Sequence, residues 1–86
     1  MSKFEKIMIR ILSGTMDKDI EFEDLRKVLH NLGFTARIKG SHHIYYKEGI
    51  EEILNLQPIG VKAKPYQVKQ VRQIILKYKL GGDFDV

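Results

Sequence analysis

The chain has 86 residues, of which 43% are hydrophobic and 30% are charged, and it contains no cysteine. This length fits a single compact domain, residues 1–86, that buries only roughly 60–65% of the surface of its unfolded chain. Without cysteine, a disulfide framework and a thiolate metal site are excluded. The apolar runs are far shorter than the roughly 20 residues that span a bilayer, and the N-terminus lacks a signal peptide. We therefore expect a cytoplasmic protein with no membrane partner.

The net charge of +4 is unevenly distributed along the chain. Residues 1–24 are slightly acidic, whereas every charge between Leu25 and Lys47 is positive, and no acid occurs between Glu52 and Asp83. A basic surface of this kind attracts polyanions, of which nucleic acid is the most common. The alternative is a basic surface that only keeps the protein in solution.

Two helices are predicted in the first part of the chain. Ser2 and Glu5 form a capping-box pair, and apolar residues at helical spacing follow until Gly14 ends the helix. Residues 13–19 form a polar connector. The second helix spans about 22–32, and Gly33 can take the left-handed conformation that closes it.

Three strands and a third helix follow. The hydrophobic period changes to two at Phe34, and turn residues at 40–41 and 47–49 separate the strands. The strands are predicted over 34–39, 42–47 and 50–56, residues 57–64 form a loop, and the third helix runs from Pro65 to Leu80, where Gly81 and Gly82 stop it.

These elements predict an α+β fold in the order α-α-β-β-β-α. Short hairpin connections imply a three-stranded antiparallel sheet, which needs helices on one face and leaves the other face open. Without its first helix, this order is the topology of double-stranded-RNA-binding domains. Residues 20–82 would form that core, with the N-terminal helix and connector, residues 1–19, as an addition.

The segment Lys39 to Lys47 holds two imidazoles, two phenols and two ammonium groups around a tight turn. Histidine, with a free pKa of about 6.5, can give or take a proton near neutral pH. Metal-free RNA cleavage needs a base for the 2′-OH, a cation near the phosphate and an acid for the leaving 5′-oxygen. A strand histidine without further context is, however, more often structural than catalytic.

Alternation along the second strand separates its two histidines. His42 shares one face with Ile44 and Tyr46, while His43 shares the other with Tyr45 and Lys47. The two imidazoles therefore cannot chelate one metal ion, and His30 lies on the second helix, so we expect no metal and no cofactor. Alternation alone leaves open which face is exposed.

The chain resembles the HicA toxin family over roughly residues 20–80. The motifs that carry the resemblance are Gly40-Ser41-His42-His43-Ile44-Tyr45, Asp24-Leu25 with Leu32-Gly33-Phe34, Asn55-Leu56-Gln57-Pro58, and 64–71 (Lys-Pro-Tyr-Gln-Val-Lys-Gln-Val). The resemblance implies a metal-independent endoribonuclease that cleaves messenger RNA and is neutralised by a HicB-type antitoxin. It also implies a double-stranded-RNA-binding-domain-like fold, with His42 as the catalytic residue.

The basic residues and the turn define a candidate RNA-binding set: Arg37, Lys39, Gly40, Ser41, Tyr45, Lys47, Lys64, Lys69 and Arg72. Tyr45 is interpreted either as a core residue or as a stacking platform. The general acid that would assist His42 is left open among Lys39, Tyr45, Tyr46 and Arg37.

Two alternative functions, and the role of residues 1–19, remain open from the sequence. The chain could bind RNA without cleaving it, or it could be an interaction protein with no affinity for nucleic acid. Residues 1–19 could extend the core, form a homo-oligomer or dock the antitoxin. No helix-turn-helix signature is found, so binding of operator DNA is expected of the antitoxin and not of this chain.

Overall fold

The computed structural model describes residues 2–82. The single-domain prediction for residues 1–86 extends at both ends beyond the described residues. The elements, in chain order, are α1 (Lys3–Ser13), a 3₁₀ turn (Asp17–Asp19), α2 (Phe22–Asn31), β1 (Thr35–Lys39), β2 (His42–Tyr46), β3 (Leu54–Leu56), β4 (Pro58–Ile59), β5 (Lys62–Ala63) and α3 (Pro65–Lys77).

The predicted ends of the first two helices are confirmed. In the capping box of α1, the Glu5 amide donates to Ser2 Oγ (3.1 Å) and the Ser2 amide donates to Glu5 Oε1 (3.2 Å). After α2, Gly33 adopts a φ of 91°, which strongly favours glycine. The Phe34 amide then donates to the Leu29 carbonyl at 3.0 Å, so the chain leaves the helix and enters β1 directly.

The first three strands form an antiparallel sheet in the order β1-β2-β3, which confirms the predicted α+β fold. Lys39 lies opposite His42 in the register of β1 and β2, and Ile44 lies opposite Asn55 in that of β2 and β3. Residues directly opposite each other point to the same side of an antiparallel sheet. The register therefore assigns each strand residue to one of two faces.

One face of the sheet is covered by helices. Tyr45 is fully buried there, and its hydroxyl accepts a hydrogen bond from Arg26 Nε of α2 at 3.0 Å. The apolar side of α1 also lies inside this core, where Met8 and Ile11 are completely buried. The remaining buried apolar residues are Ile7, Ile20, Phe22, Leu25, Val28, Leu29, Phe34, Leu54, Leu56, Ala63, Val68, Val71, Ile74 and Ile75. Among residues 2–82, no helix combines the length and apolar character that crossing a bilayer requires.

The third strand begins at Leu54 and is shorter than predicted, because Glu51 and Glu52 are bonded to the end of α3 and the Ile50 amide donates to the Lys47 carbonyl (3.1 Å). The Glu51 amide donates to the Tyr78 hydroxyl at 3.4 Å. The Glu52 carboxylate accepts hydrogen bonds from Lys77 Nζ (2.8 Å) and the Tyr78 hydroxyl (2.5 Å). These two donors, Lys77 first, lower the pKa of Glu52 to about 2.

The predicted loop 57–64 contains a small hairpin, β4-β5, and this part of the prediction was wrong. Gly60, with a φ of 60°, supplies the turn between the two strands. The hairpin is attached to the start of α2 and to the residues just before it, because the Phe22 amide donates to the Val61 carbonyl (3.0 Å) and the Ala63 amide donates to the Ile20 carbonyl (2.9 Å). Tertiary hydrogen bonds therefore order a segment whose Pro and Gly content is typical of a loop.

Helix α3 ends at Lys77, earlier than predicted. Lys79, and not Gly81, takes the left-handed conformation with a φ of 55°. The Leu80 amide then donates to the Ile75 carbonyl at 2.9 Å, which closes the helix end. The paired glycines follow a turn that has already formed.

Candidate active site

The structure places His42 at the start of β2, on the sheet face that the helices leave open. His43 and Tyr45, at alternate positions of the same strand, lie on the covered face. Lys39 lies directly across the β1-β2 hairpin from His42 and projects to the same side. Side chains paired in this way have Cβ atoms about 5 Å apart. An imidazole and an ammonium-bearing side chain thus meet at one corner of the open face.

A hydrogen bond from β3 fixes one nitrogen of the His42 ring. Nδ1 lies 3.2 Å from Asn55 Oδ1. Since an amide oxygen can only accept, Nδ1 carries the hydrogen and the neutral ring keeps its lone pair on Nε2. The ring lines a shallow cavity of about 170 Å³ together with Asn55, Gln57, Tyr66 and Gln67. In this arrangement Nε2 can accept a proton.

A chain of amide contacts holds the Gly40-Ser41 turn against the start of α3. The buried Gln67 side chain donates from Nε2 to the Gln57 carbonyl (3.0 Å) and accepts from the Gln57 amide at Oε1 (3.1 Å). Gln57 Nε2 in turn donates to Ser41 Oγ at 3.0 Å. The residue before His42 is therefore positioned by the third helix through one intermediate residue.

His43 has a structural environment that differs from that of His42. Its ring packs edge-on against Phe22 at a centroid distance of 4.9 Å, and its Nδ1 is buried without a partner among the described residues. Burial first, and then the nearby Arg26 charge, lower the pKa of His43. A neutral, packed imidazole of this kind belongs to the core boundary.

The charges on the sheet are separated along its length. Strands β1, β2 and β3 carry no acidic residue, and Arg37 and Lys39 both belong to the open face near His42. Glu48, Glu51 and Glu52 lie in the connection at the opposite end of the sheet. The His42 end is consequently the end that attracts an anion. Within residues 2–82, no group of three or more histidine and carboxylate side chains could hold a metal ion.

Several members of the candidate RNA-binding set lie around this end. Gly40, with a φ of 61°, and Ser41 form the turn itself. Lys64 precedes the first residue of α3, and the exposed Lys69 follows Tyr66 by three positions, which places both on one side of that helix.

Three members of that set are placed elsewhere. Tyr45 is fully buried and has no ring face on which a base could stack, so it is a core residue and cannot serve as a platform or as the general acid. Arg72 forms a two-pronged ion pair with Asp17 (2.8 and 3.2 Å). Lys47 lies at the far end of β2, where its ammonium group approaches Gly33.

Sequence reasoning assigned no role to Asn55, Gln57 or Tyr66, although all three line the cavity beside His42. Asn55 carries a usable signal, since it is a lone polar residue between Leu54 and Leu56 and must point to the open face. Gln57 directly follows Leu56, which lies opposite His43 in the register of β2 and β3. Tyr66 is far from His42 in sequence, and the packing of α3 brings it to the cavity.

Comparison with protein families gives a match over residues 22–78 to the family described as the HicA toxin of bacterial toxin–antitoxin systems. The match includes α2, all five strands and α3, and leaves out α1 and the 3₁₀ turn. No curated protein and no solved structure matches the chain. Because the matched region is well over half of the chain and includes the His42 turn, the protein belongs to the HicA family of toxins from bacterial toxin–antitoxin systems.

Proposed function

We propose that this toxin is a metal-independent endoribonuclease that cleaves messenger RNA in the cytoplasm, with His42 as its catalytic residue. The observation that carries the proposal is the setting of His42: an exposed imidazole whose Nδ1 is held by Asn55, on a sheet face without carboxylates. A base with one nitrogen held and the other free, on a sheet face that also carries Arg37 and Lys39, suits a reaction on a phosphodiester.

The proposed reaction uses the 2′-hydroxyl of RNA as the nucleophile. His42 Nε2 takes the 2′-hydroxyl proton, the 2′-oxygen bonds to phosphorus, and the bond from phosphorus to the 5′-oxygen breaks. The products are a 2′,3′-cyclic phosphate and a 5′-hydroxyl end, the latter formed when an acid protonates the departing oxygen. No water is consumed in this step, and no redox change takes place.

Lys39 is the strongest candidate for the acid. Arginine does not release a proton at neutral pH, so Arg37 can only offset the charge on the phosphate. Tyr46 lies four residues along β2 from His42, which separates the two by roughly 13 Å. Lys39, directly opposite His42, can both neutralise the phosphate and donate a proton.

The test is incubation of the purified chain with RNA in EDTA, with His42→Ala beside it. We expect the wild type to produce 5′-hydroxyl and cyclic-phosphate ends, and His42→Ala to lose at least about 100-fold in rate with its thermal unfolding unchanged. His30→Ala, a change at an exposed histidine of α2, serves as the matched control and should cleave normally. Expression of His42→Ala alone should permit growth.

Two outcomes would contradict the proposal. If His42→Ala remained toxic while His43→Ala did not, the catalytic residue would be wrong. If the wild type protected RNA without producing new ends, the chain would be a non-catalytic RNA-binding module instead. The absence of any affinity for RNA would leave an interaction protein.

Membership of the family implies an antitoxin partner, and we propose a HicB-type antitoxin that places an acidic surface over Arg37, Lys39 and His42. Such a complex would block access to the imidazole and cancel the charge that attracts RNA. Lys39→Glu should weaken the complex and slow its association most strongly at low salt. Unchanged affinity for the antitoxin after Arg37→Glu and Lys39→Glu together would place the interface elsewhere.

We propose that the N-terminal helix extends the core of this chain and does not form a homo-oligomer. Its apolar residues Ile7, Met8 and Ile11 are buried within the described domain, and Ile9 is its only strongly exposed large apolar residue. We expect a monomer in light scattering of the isolated chain. A stable dimer that Ile9→Lys dissociates would restore the alternative.

A further inference from the structure

Tyr66 combines exposure, the absence of a partner and proximity to His42. Tyr66 is the second residue of α3, and 58% of its surface is exposed. It lines the same cavity as the His42 ring. Among the described residues its hydroxyl and its ring make no hydrogen bond or ring contact. The other three tyrosines differ, because Tyr45 is buried, Tyr78 is bonded to Glu52, and Tyr46 lies at the far end of β2.

The cavity beside Tyr66 is lined by neutral polar groups. Asn55 uses Oδ1 to hold His42 and keeps its amide nitrogen free, whereas Gln57 uses Nε2 to hold Ser41 and keeps its amide oxygen free. The two amide side chains thus present one hydrogen-bond donor and one acceptor to the cavity, which has no cation or carboxylate in its lining. A phosphate group would need a cation, whereas the edge of a nucleobase offers donors and acceptors of its own.

Cations surround this cavity without lining it. Lys39 projects from the opposite strand, and Lys64 and Lys69 flank Tyr66 along the start of α3. A planar neutral ring could therefore bind in the cavity, while the phosphates on either side of it could bind to the surrounding lysines.

We propose that Tyr66 stacks against one unpaired nucleobase of the RNA whose adjacent phosphodiester lies at His42, with the free amide groups of Asn55 and Gln57 facing the edge of that base. The inference rests on the proposed function and narrows its substrate to single-stranded RNA. Bases within a duplex are stacked and paired, so they cannot enter the cavity. The overall topology, by contrast, would suggest recognition of a duplex by its shape.

The test measures binding of a single-stranded RNA, and of the same sequence within a duplex, in a His42→Ala background that prevents cleavage. Loss of a base–aromatic stack on alanine substitution weakens binding by about 5- to 150-fold. We expect a loss in this range for Tyr66→Ala on the single strand only, and near-normal binding for Tyr66→Phe, which keeps the ring. Ile59→Ala, at a side chain that is 62% exposed on the neighbouring hairpin, should bind normally.

Salt dependence separates stacking from charge. Tyr66→Ala should leave the slope of log Kd against log salt unchanged, whereas Lys69→Gln should reduce its magnitude by about 0.7 if Lys69 neutralises one phosphate of the single strand. A change of slope in Tyr66→Ala would contradict stacking.

Three results would overturn the inference while leaving the proposed function intact: wild-type affinity in Tyr66→Ala, an equal loss in Tyr66→Phe, or an equal loss on the duplex. Failure of the proposed function is distinguishable, because the chain with His42 present would then produce no RNA ends in EDTA. A wild-type chain that bound no RNA would overturn both.

Discussion

Replacing Arg72 tests whether its charge stabilises the fold or contacts the proposed RNA substrate. Its guanidinium joins α3 to the N-terminal segment: Nη1 donates to Asp17 Oδ1 (2.8 Å) and to the Ile11 carbonyl (3.1 Å), and Nη2 donates to Asp17 Oδ2 (3.2 Å). The exposed fractions of the Arg72 and Asp17 side chains are only 15% and 22%. The pair is therefore more buried than an ordinary surface ion pair.

Arg72→Met keeps most of the aliphatic stem and removes the charge. Exposed ion pairs contribute about 0–1 kcal/mol, whereas loss of one member of a buried pair costs about 3–5 kcal/mol. With Asp17 still partly solvated, we expect the free energy of unfolding to fall by about 2 kcal/mol. For a chain of this size that loss corresponds to a decrease in Tm of about 8–16 °C.

The assay is urea unfolding of the wild type, Arg72→Met, Asp17→Asn and the double variant. Because the two side chains touch, the cycle should give a coupling free energy of about 1–2 kcal/mol. RNA affinity, measured where each variant is folded, should be unchanged. If Arg72→Met unfolded like the wild type but lost RNA affinity, Arg72 would be a phosphate contact, as its place in the candidate RNA-binding set had suggested.

The remaining predictions concern the supports of the site and of the sheet. Gln67→Leu removes the hydrogen-bond partners of the Gln57 main chain, so the free energy of unfolding should fall by about 1–3 kcal/mol and RNA cleavage should slow. Thermal unfolding measures the first effect and the EDTA cleavage assay measures the second. Normal cleavage by this variant would contradict a positioning role for Gln67. The folded chain lowers the pKa of His43 below 6.5, so the unfolded chain binds one more proton as the pH falls through 6.5 and the free energy of unfolding decreases toward acid. The variant His43→Phe should therefore show a shallower decline of Tm between pH 7.5 and 5.5. Identical slopes for the variant and the wild type would refute this. Gly33→Ala places a side chain at a φ of 91°, so a loss of about 1–2 kcal/mol is expected in urea unfolding, with Gly60→Ala as a comparison on the hairpin.

The fold was predictable where local signals and tertiary packing agree. The capping box at Ser2 and the glycine at position 33 set helix ends that the structure confirms. The predicted bounds of the third strand and the predicted loop after it were wrong, because groups distant in sequence bond to the backbone there. The Glu51 amide donates to the Tyr78 hydroxyl and not to a neighbouring strand, and hydrogen bonds with Ile20 and Phe22 order the hairpin after β3. The hydrophobic pattern of residues 50–64 gives no indication of these hydrogen-bond partners.

The candidate site was predictable in part. Alternation separates His42 from His43, but only the register and the buried Tyr45 show which of the two faces the solvent. The sequence Leu54-Asn55-Leu56 predicts only the face on which Asn55 lies. The contacts that bring Asn55 and Tyr66 to His42 join elements far apart in sequence and leave no local pattern. The ion pair of Arg72 with Asp17 depends on the N-terminal segment, which lies outside the family match.

The division between exposed and buried residues has a consequence for mutational data on this site. His42, Lys39 and Tyr66 are exposed, so their removal exposes no cavity and leaves no buried polar group unpaired. Gln67 and Tyr45 are buried beneath them, and their hydrogen bonds to Gln57 and from Arg26 fix the strands that carry the site. Loss of activity without loss of stability would therefore identify groups of the proposed RNA site, whereas loss of both would identify residues that position those groups.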